Sequence, residues 1–79
     1  MKVRINIVLK HSVLDQQGQS VATSLLGQGF DIIKNVRQGK ILDIEFNSNE
    51  VDINIINDMC EGFLTNPLVE DYSIEEINT

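Results

Sequence analysis

The sequence is poor in the features that stabilise or equip many small proteins. One cysteine among 79 residues permits neither an internal disulfide nor a zinc site built from paired cysteines. No apolar run approaches the roughly 18 residues that a membrane-spanning helix needs. A core in a chain this short supplies only about 3–5 kcal/mol by itself. We therefore expect one domain, residues 1–79, that gains stability by association and works as a module or subunit.

Basic and aromatic residues are also scarce. Six Lys and Arg against twelve Asp and Glu give a formal net charge of −6, which repels nucleic-acid phosphates and anionic lipid surfaces. Three Phe and one Tyr are too few for a sheet that recognises RNA by stacking. We expect no nucleic acid and no membrane among the partners. Without a signal-peptide pattern, and with one free thiol, the chain is expected to be cytoplasmic.

Two segments alternate apolar and polar residues clearly enough to predict strands. Residues 2–10 and 40–47 both show the period of two that gives a strand one buried face and one wetter face. The apolar positions are Val3, Ile5, Ile7 and Leu9 in the first segment, and Leu42, Ile44 and Phe46 in the second.

A helix is predicted between these strands. Asp15 is a suitable N-cap for residues 16–28, and Gly29 stands where a glycine commonly ends a helix in the left-handed conformation. Residues 30–37 then predict a further strand. This strand either pairs with residues 40–47 across a turn or forms one long bent strand with them, and the pattern leaves both arrangements open.

The second half of the chain predicts one more helix and one more strand. Asn47 or Ser48 can cap a helix that reaches Leu64, the Asn66-Pro67 pair ends it, and residues 68–77 form the last strand. The order β-α-β-β-α-β predicts an α+β, ferredoxin-like two-layer sandwich, with both helices on one face of an antiparallel sheet.

Few side chains are placed for chemistry. The only histidine, His11, has no nucleophile or base arranged beside it, so we interpret it as a loop residue at a strand end. Cys60 lies on an apolar helical stripe and is interpreted as a buried thiol. The acidic pairs at 70–71 and 75–76 are interpreted as a solvated strand edge. We therefore expect no catalytic residue, no cofactor site and no metal site.

One basic pair remains without a structural explanation. Arg37 and Lys40 bracket the predicted turn, and they suit either contact with an anion or acidic partner or a plain exposed hairpin. Ferredoxin-like folds serve many functions. Paired cysteines for metal carriage are missing, as is the phosphate loop of acyl-phosphate hydrolysis. Amino-acid sensing stays open as an alternative function.

Four stretches of sequence carry a resemblance to a known family, and together they span nearly the whole chain. The stretches are VLDQQG at 13–18, LGQGF at 26–30, VRQGK at 36–40, and MCE at 59–61 followed by LTNP at 64–67 and VEDY at 69–72. In this order and at this length they resemble the PurS family, the small subunit of phosphoribosylformylglycinamidine synthase. His11-Ser12 and Gln16 depart from the family pattern, which usually has Pro-Gly or similar and a Pro at these places.

The resemblance implies a subunit without an active site of its own. It implies an enzyme in which a glutaminase subunit releases ammonia, and a large synthetase subunit uses ATP and magnesium to convert formylglycinamide ribonucleotide to formylglycinamidine ribonucleotide. The small chain is then expected to join these two subunits, to support ammonia transfer, and to self-associate as a dimer or higher oligomer. Arg37, Lys40, Asn66 and Pro67, which fall within the family-like stretches, are our candidate partner contacts.

Overall fold

The computed structural model describes residues 1–77. It contains three strands, two α-helices and one π-helical turn. In chain order these are β1 (Lys2–Leu9), α1 (Gln16–Gly27), β2 (Gly39–Glu45), α2 (Ile53–Met59), the π turn (Cys60–Leu64) and β3 (Glu70–Glu76). The three strands form one sheet in the order β2-β1-β3, and both pairings are antiparallel. The predicted α+β class, with an antiparallel sheet and two helices, is confirmed.

The alternation of β1 determines which face of the sheet is buried. Val3, Ile5 and Ile7 have at most 1% of their surface exposed, because successive side chains of a strand point to opposite faces. At the centre of the sheet, Ile5 lies opposite Leu42 on β2 and Ile74 on β3. The apolar positions predicted from the period of two therefore form the floor of the core.

Only the second helix covers this core. Ile56 of α2 and Cys60 of the π turn are buried with the three β1 residues in one cluster. Within residues 1–77, α1 adds no side chain to that cluster or to the half-buried residues packed around it. We call the sheet, α2 and the π turn the body, and residues 16–38 the arm.

The arm makes the chain long for its size. The radius of gyration is 16.0 Å and the longest dimension 49 Å, whereas a compact domain of this length has a radius of gyration of about 12 Å. None of the helices within residues 1–77 has the length and apolar character to cross a membrane.

Both ends of α1 follow the sequence prediction. The carboxylate of Asp15 accepts a hydrogen bond from the Gly18 amide as an N-cap. At the other end, the Gly29 amide donates to Leu26 O and the Phe30 amide donates to Leu25 O, each at 3.1 Å. These two bonds form a Schellman motif, and Gly29 has the positive φ, 94°, that the motif requires.

Three boundaries differ from the sequence prediction. Residues 30–37 form no strand, because the segment returns beside α1, with Val36 O close to Gly18, and does not pair with the outer edge of β2. The second helix begins after Asp52, whose carboxylate accepts from the Asn54 amide. The last strand begins at Glu70, because a turn occupies the residues after Asn66, with the amides of Val69 and Glu70 both donating to Asn66 O.

Candidate functional site: the arm and its attachment to the body

Three large apolar side chains are much more exposed than the others. Ile32 of the arm has 93% of its surface exposed, Phe63 of the π turn has 88% exposed, and Leu68, in the turn that precedes β3, has 84% exposed. Isolated exposed apolar residues are ordinary on protein surfaces. Large side chains at such exposures on an arm outside the core indicate surface available to another chain.

A buried carboxylate joins the two ends of the arm. Asp15 is 4% exposed. Its Oδ1 accepts from the Gly18 amide at 2.9 Å, and its Oδ2 accepts from the Gln38 amide at 2.6 Å. The pKa of Asp15 is lowered from its ordinary value by these two bonds, first that from Gln38 and then that from Gly18. The ionised carboxylate therefore holds the start of α1 against the end of the arm.

A guanidinium joins the end of the arm to the body. Arg37 Nη1 donates to Val13 O at 3.2 Å. Its Nη2 donates to Lys10 O at 3.0 Å and to Leu9 O at 3.3 Å. The planar fork of donors in arginine suits several carbonyl acceptors at once. Arg37 thus bonds the last residue of β1 and the loop that follows it.

Two glycines allow segments of the backbone to approach each other closely here. A Cβ on Gly18 would collide with Val36 O and lie 2.6 Å from Asp15 Oδ2. A Cβ on Gly39 would lie 2.6 Å from Ile7 O. We call this set of contacts the clamp. It consists of Asp15 and Arg37 and of the backbone groups that they bind in Gly18, in Gln38 and in the β1–α1 loop.

The other candidate contacts lie near Glu70, the first residue of β3. Lys40 Nζ is 3.7 Å from Glu70 Oε2, and Glu70 Oε1 accepts from the Asn66 amide at 2.8 Å. The side chain of Asn66 accepts from the Leu68 amide at 3.2 Å, and Pro67 is exposed. Glu70 therefore brings Lys40 and Asn66 together, whereas the bonds of Arg37 go to the β1–α1 loop.

A cavity of about 220 Å³ lies between the clamp and this second group. Its floor is the apolar end of β1 and its walls are polar. The lining residues are Ile7, Leu9, Asp15, Gln17, Gln38, Gly39, Lys40 and Glu70. The wall amides already bond each other, with Gln38 Nε2 donating to Gln17 Oε1 at 2.9 Å.

The remaining reactive groups occupy structural positions. His11 is exposed in the β1–α1 loop, and Cys60 is buried, which raises the pKa of its thiol. The Tyr72 hydroxyl lies 3.0 Å from Asn57 Oδ1 and 3.1 Å from Glu61 Oε1, and burial is the first cause of its raised pKa. Across residues 1–77 no three His, Cys, Asp or Glu side chains are grouped as metal ligands would be.

Sequence reasoning found part of this arrangement. Asp15 was predicted as a helix cap, but its bond to Gln38, 23 residues away, has no local signature. Arg37 was singled out for its charge, and its carbonyl acceptors are equally remote. The exposure of Ile32 was missed because an alternating segment was expected to become a strand.

By its fold, the described part of the chain is a small α+β domain with a narrow core and a projecting arm. Comparison with known proteins identifies the particular family. The family model PurS, described as phosphoribosylformylglycinamidine (FGAM) synthase, matches residues 2–78. The chain belongs to the PurS family.

Individual relatives agree with this assignment. The phosphoribosylformylglycinamidine synthase subunit PurS of Bacillus subtilis is 35% identical over 75 residues, which cover 94% of this chain and 89% of the relative. The crystal structure of Methanocaldococcus jannaschii PurS, described as one of the subunits of formylglycinamide ribonucleotide amidotransferase in the purine biosynthetic pathway, matches with a TM-score of 0.83. It is 34% identical, and the match covers 98% of both chains.

A third match is to a structure described as that of PurLQS from Thermotoga maritima. A chain in it superposes with a TM-score of 0.78 at 29% identity. The match covers 96% of this chain and 95% of that one.

Proposed function

We propose that this chain is the non-catalytic assembly subunit of FGAM synthase, an ATP-dependent ligase of de novo purine biosynthesis. It joins the glutaminase subunit to the large synthetase subunit and supports ammonia transfer between them. The observation that carries the proposal is the family match over residues 2–78, together with the similarity to a chain of the PurLQS structure. Family membership favours this function over amino-acid sensing.

The division of chemistry follows from the same proposal. The glutaminase subunit releases ammonia, and the synthetase subunit uses ATP and magnesium to convert formylglycinamide ribonucleotide to formylglycinamidine ribonucleotide. This chain binds neither cofactor and acts through its surface, in the cytoplasm. The family match over residues 2–78 supports this division.

Self-association is part of the proposed function, as a dimer or a higher oligomer. Ile32 and Phe30 of the arm are 93% and 52% exposed, and α1 adds nothing to the chain's own core among the described residues. Among residues 1–77 no strand bonds the outer edge of β2, and an open strand edge is a template for pairing with another chain. A second copy that covers these surfaces would enlarge a core that is small for independent stability.

The four candidate residues divide into two kinds of contact. We propose that Lys40, with 58% of its side chain exposed, and the exposed Pro67 meet partner subunits directly. Arg37 and Asn66 are engaged with backbone groups of their own chain, so we propose that they shape the contact surface instead.

Reconstitution of the three-subunit enzyme tests the proposal. The chain, the glutaminase subunit and the synthetase subunit are mixed with glutamine, ATP and magnesium, and light scattering reports assembly. We expect a ternary complex and glutamine-dependent activity that needs this chain. Assembly and full activity without the chain, or no complex under any ligand condition, would overturn the proposal.

Charge reversal tests the direct contact. Lys40→Glu is expected to reduce glutamine-dependent activity while ammonia-dependent activity is retained, because ammonia supplied in solution bypasses the glutaminase. Lys34→Glu, a reversal of equal size at an exposed lysine of the arm, is the matched control. Equal activities for Lys40→Glu and the unaltered chain would remove Lys40 from the contacts.

A further inference from the structure

The two ends of the arm meet at one place, beside the end of β1. Asp15 stands before the first residue of α1, and Gln38 is the last residue before β2. The Asp15 carboxylate binds amides from both ends, at Gly18 and Gln38. The two ends of the arm are therefore held next to each other, and both join the rest of the chain beside the end of β1.

The orientation of the arm is not set by packing on the core. No α1 side chain among the described residues belongs to the core cluster, and the only buried residue of α1 is Gly18. Within residues 1–77, the side-chain hydrogen bonds that join the arm to β1 and to the β1–α1 loop lie in the clamp. Arg37 supplies three of them, to Leu9 O, Lys10 O and Val13 O.

We propose that Asp15 and Arg37 are positioning residues that hold the arm at a fixed angle to the sheet. Asp15 fixes the start of the arm to its end, and Arg37 fixes that end to β1 and the β1–α1 loop. A buried ionised carboxylate with two amide donors is costly to separate from them. Lysine cannot reproduce the fork of donors with which Arg37 reaches carbonyls of three residues. This role concerns the chain itself and goes beyond the proposed function.

Distance measurement between two spin labels tests the clamp. Thr23→Cys places a label on α1 and Asp58→Cys places one on α2, both at exposed positions, while Cys60 is fully buried and stays unlabelled. The labelled full-length chain is refolded with a large excess of unlabelled chain, so that only distances within one chain are observed. The unaltered chain should give one narrow distance distribution.

Breaking the clamp should change this distribution. We expect Arg37→Ala to broaden it, and Arg37→Lys to give an intermediate width because one ammonium keeps the charge but loses the fork. Exchange of the Gln38 amide proton should accelerate roughly tenfold in Arg37→Ala, the size that the loss of about one net hydrogen bond gives. Unchanged exchange at the Ile5 amide reports that the body is still folded.

Arg4→Ala is the matched control. Arg4 also binds through its guanidinium, to both oxygens of Asp43 at 2.9 and 3.2 Å, but it lies on the sheet away from the arm. A narrow distribution in Arg37→Ala with unchanged Gln38 exchange, or equal broadening in Arg4→Ala, would overturn the clamp. Full restoration of the narrow distribution by Arg37→Lys would show that charge alone suffices and would overturn the role of the fork.

Discussion

The body and the arm are held together by different physical means. The body is organised by an apolar strand, β1, whose alternate residues are buried between two neighbouring strands and α2. The arm has no comparable core. It is attached through hydrogen bonds of a carboxylate and a guanidinium, at a place where two glycines let neighbouring backbone segments approach closely. One short chain thus combines a region with an apolar core of its own and a region that polar bonds attach to it.

Removal of a core side chain should show the largest difference between the regions. Ile5→Ala is expected to lower the free energy of unfolding by roughly 2–5 kcal/mol, since the deletion leaves a cavity in a fully buried place. For the isolated monomer, the same deletion at Ile32, 93% exposed within one chain, should change it by no more than about 0.5 kcal/mol. Urea denaturation at a protein concentration low enough to keep the chain monomeric measures both. Similar losses in the monomer would mean that Ile32 packs within its own chain and that the arm is part of the core.

Glycine-to-alanine substitutions within α1 should change stability in opposite directions at the clamp and outside it. Gly18→Ala is expected to cost about 1–3 kcal/mol, because its Cβ meets a backbone carbonyl and the Asp15 carboxylate. Gly27→Ala, with nothing within 4 Å of the added Cβ, should instead stabilise by about 0.5–1 kcal/mol through higher helix propensity. Thermal unfolding of both variants shows which substitution destabilises the chain and which stabilises it. A stabilising Gly18→Ala would contradict the close approach of Val36.

Substitution at the end of α1 should have a smaller effect on stability. Gly29→Ala places a side chain at a φ of 94°, and we expect a loss of about 1 kcal/mol because L-residues rarely adopt that conformation. Gly62→Ala in the π turn is the comparison, since its φ is not positive and its Cβ would meet nothing within 4 Å. Chemical denaturation of the two variants should show a loss only at Gly29.

Acid should weaken the clamp through Asp15. Its pKa in the folded chain lies below the unfolded value of about 3.9. The bonds therefore add stability above that value, and the contribution is lost as the pH falls towards the folded pKa. Asp43, whose pKa is lowered by the Arg4 hydrogen bond, should behave likewise in the body.

Urea denaturation from about pH 6 to about pH 3 checks this dependence. Asp15→Asn and Asp43→Asn should each lose less stability on acidification than the unaltered chain. Only Asp15→Asn should also remove the pH dependence of Gln38 amide protection. A pH dependence of Gln38 protection that survives in Asp15→Asn would show that another group controls the clamp.

The sequence predicts the body better than the arm because the patterns that indicate the body involve only neighbouring residues. The alternation of residues 2–10 and 40–47 and the cap at Asp15 are contained within a few neighbours. Residues 30–37 also alternate, yet they return beside α1, with Val36 O close to Gly18, and bond no strand of the described residues. Periodicity reports which face would be buried and carries no information on whether a neighbouring strand is present.

The candidate site shows the same division. The charges of Arg37 and Lys40 and the turn at Asn66-Pro67 were identified from sequence. The acceptors of Arg37 lie 24 to 28 residues earlier in the chain, and no short-range pattern specifies them. Burial of Asp15 is equally invisible, because a helix cap is normally exposed and only the returning chain encloses it.

The central position of β1 also constrains how the chain is made. Its partners are formed by the middle and the last part of the sequence, as in the bond between Asn6 and Glu75, 69 residues apart. High contact order slows folding because loop closure must precede the contacts that reward it. On the ribosome, β1 emerges before both of its partner strands, and the sheet stays incomplete until β3 has left the exit tunnel. Folding of the body cannot be completed before that point, and the nascent chain exposes apolar residues of β1 until then.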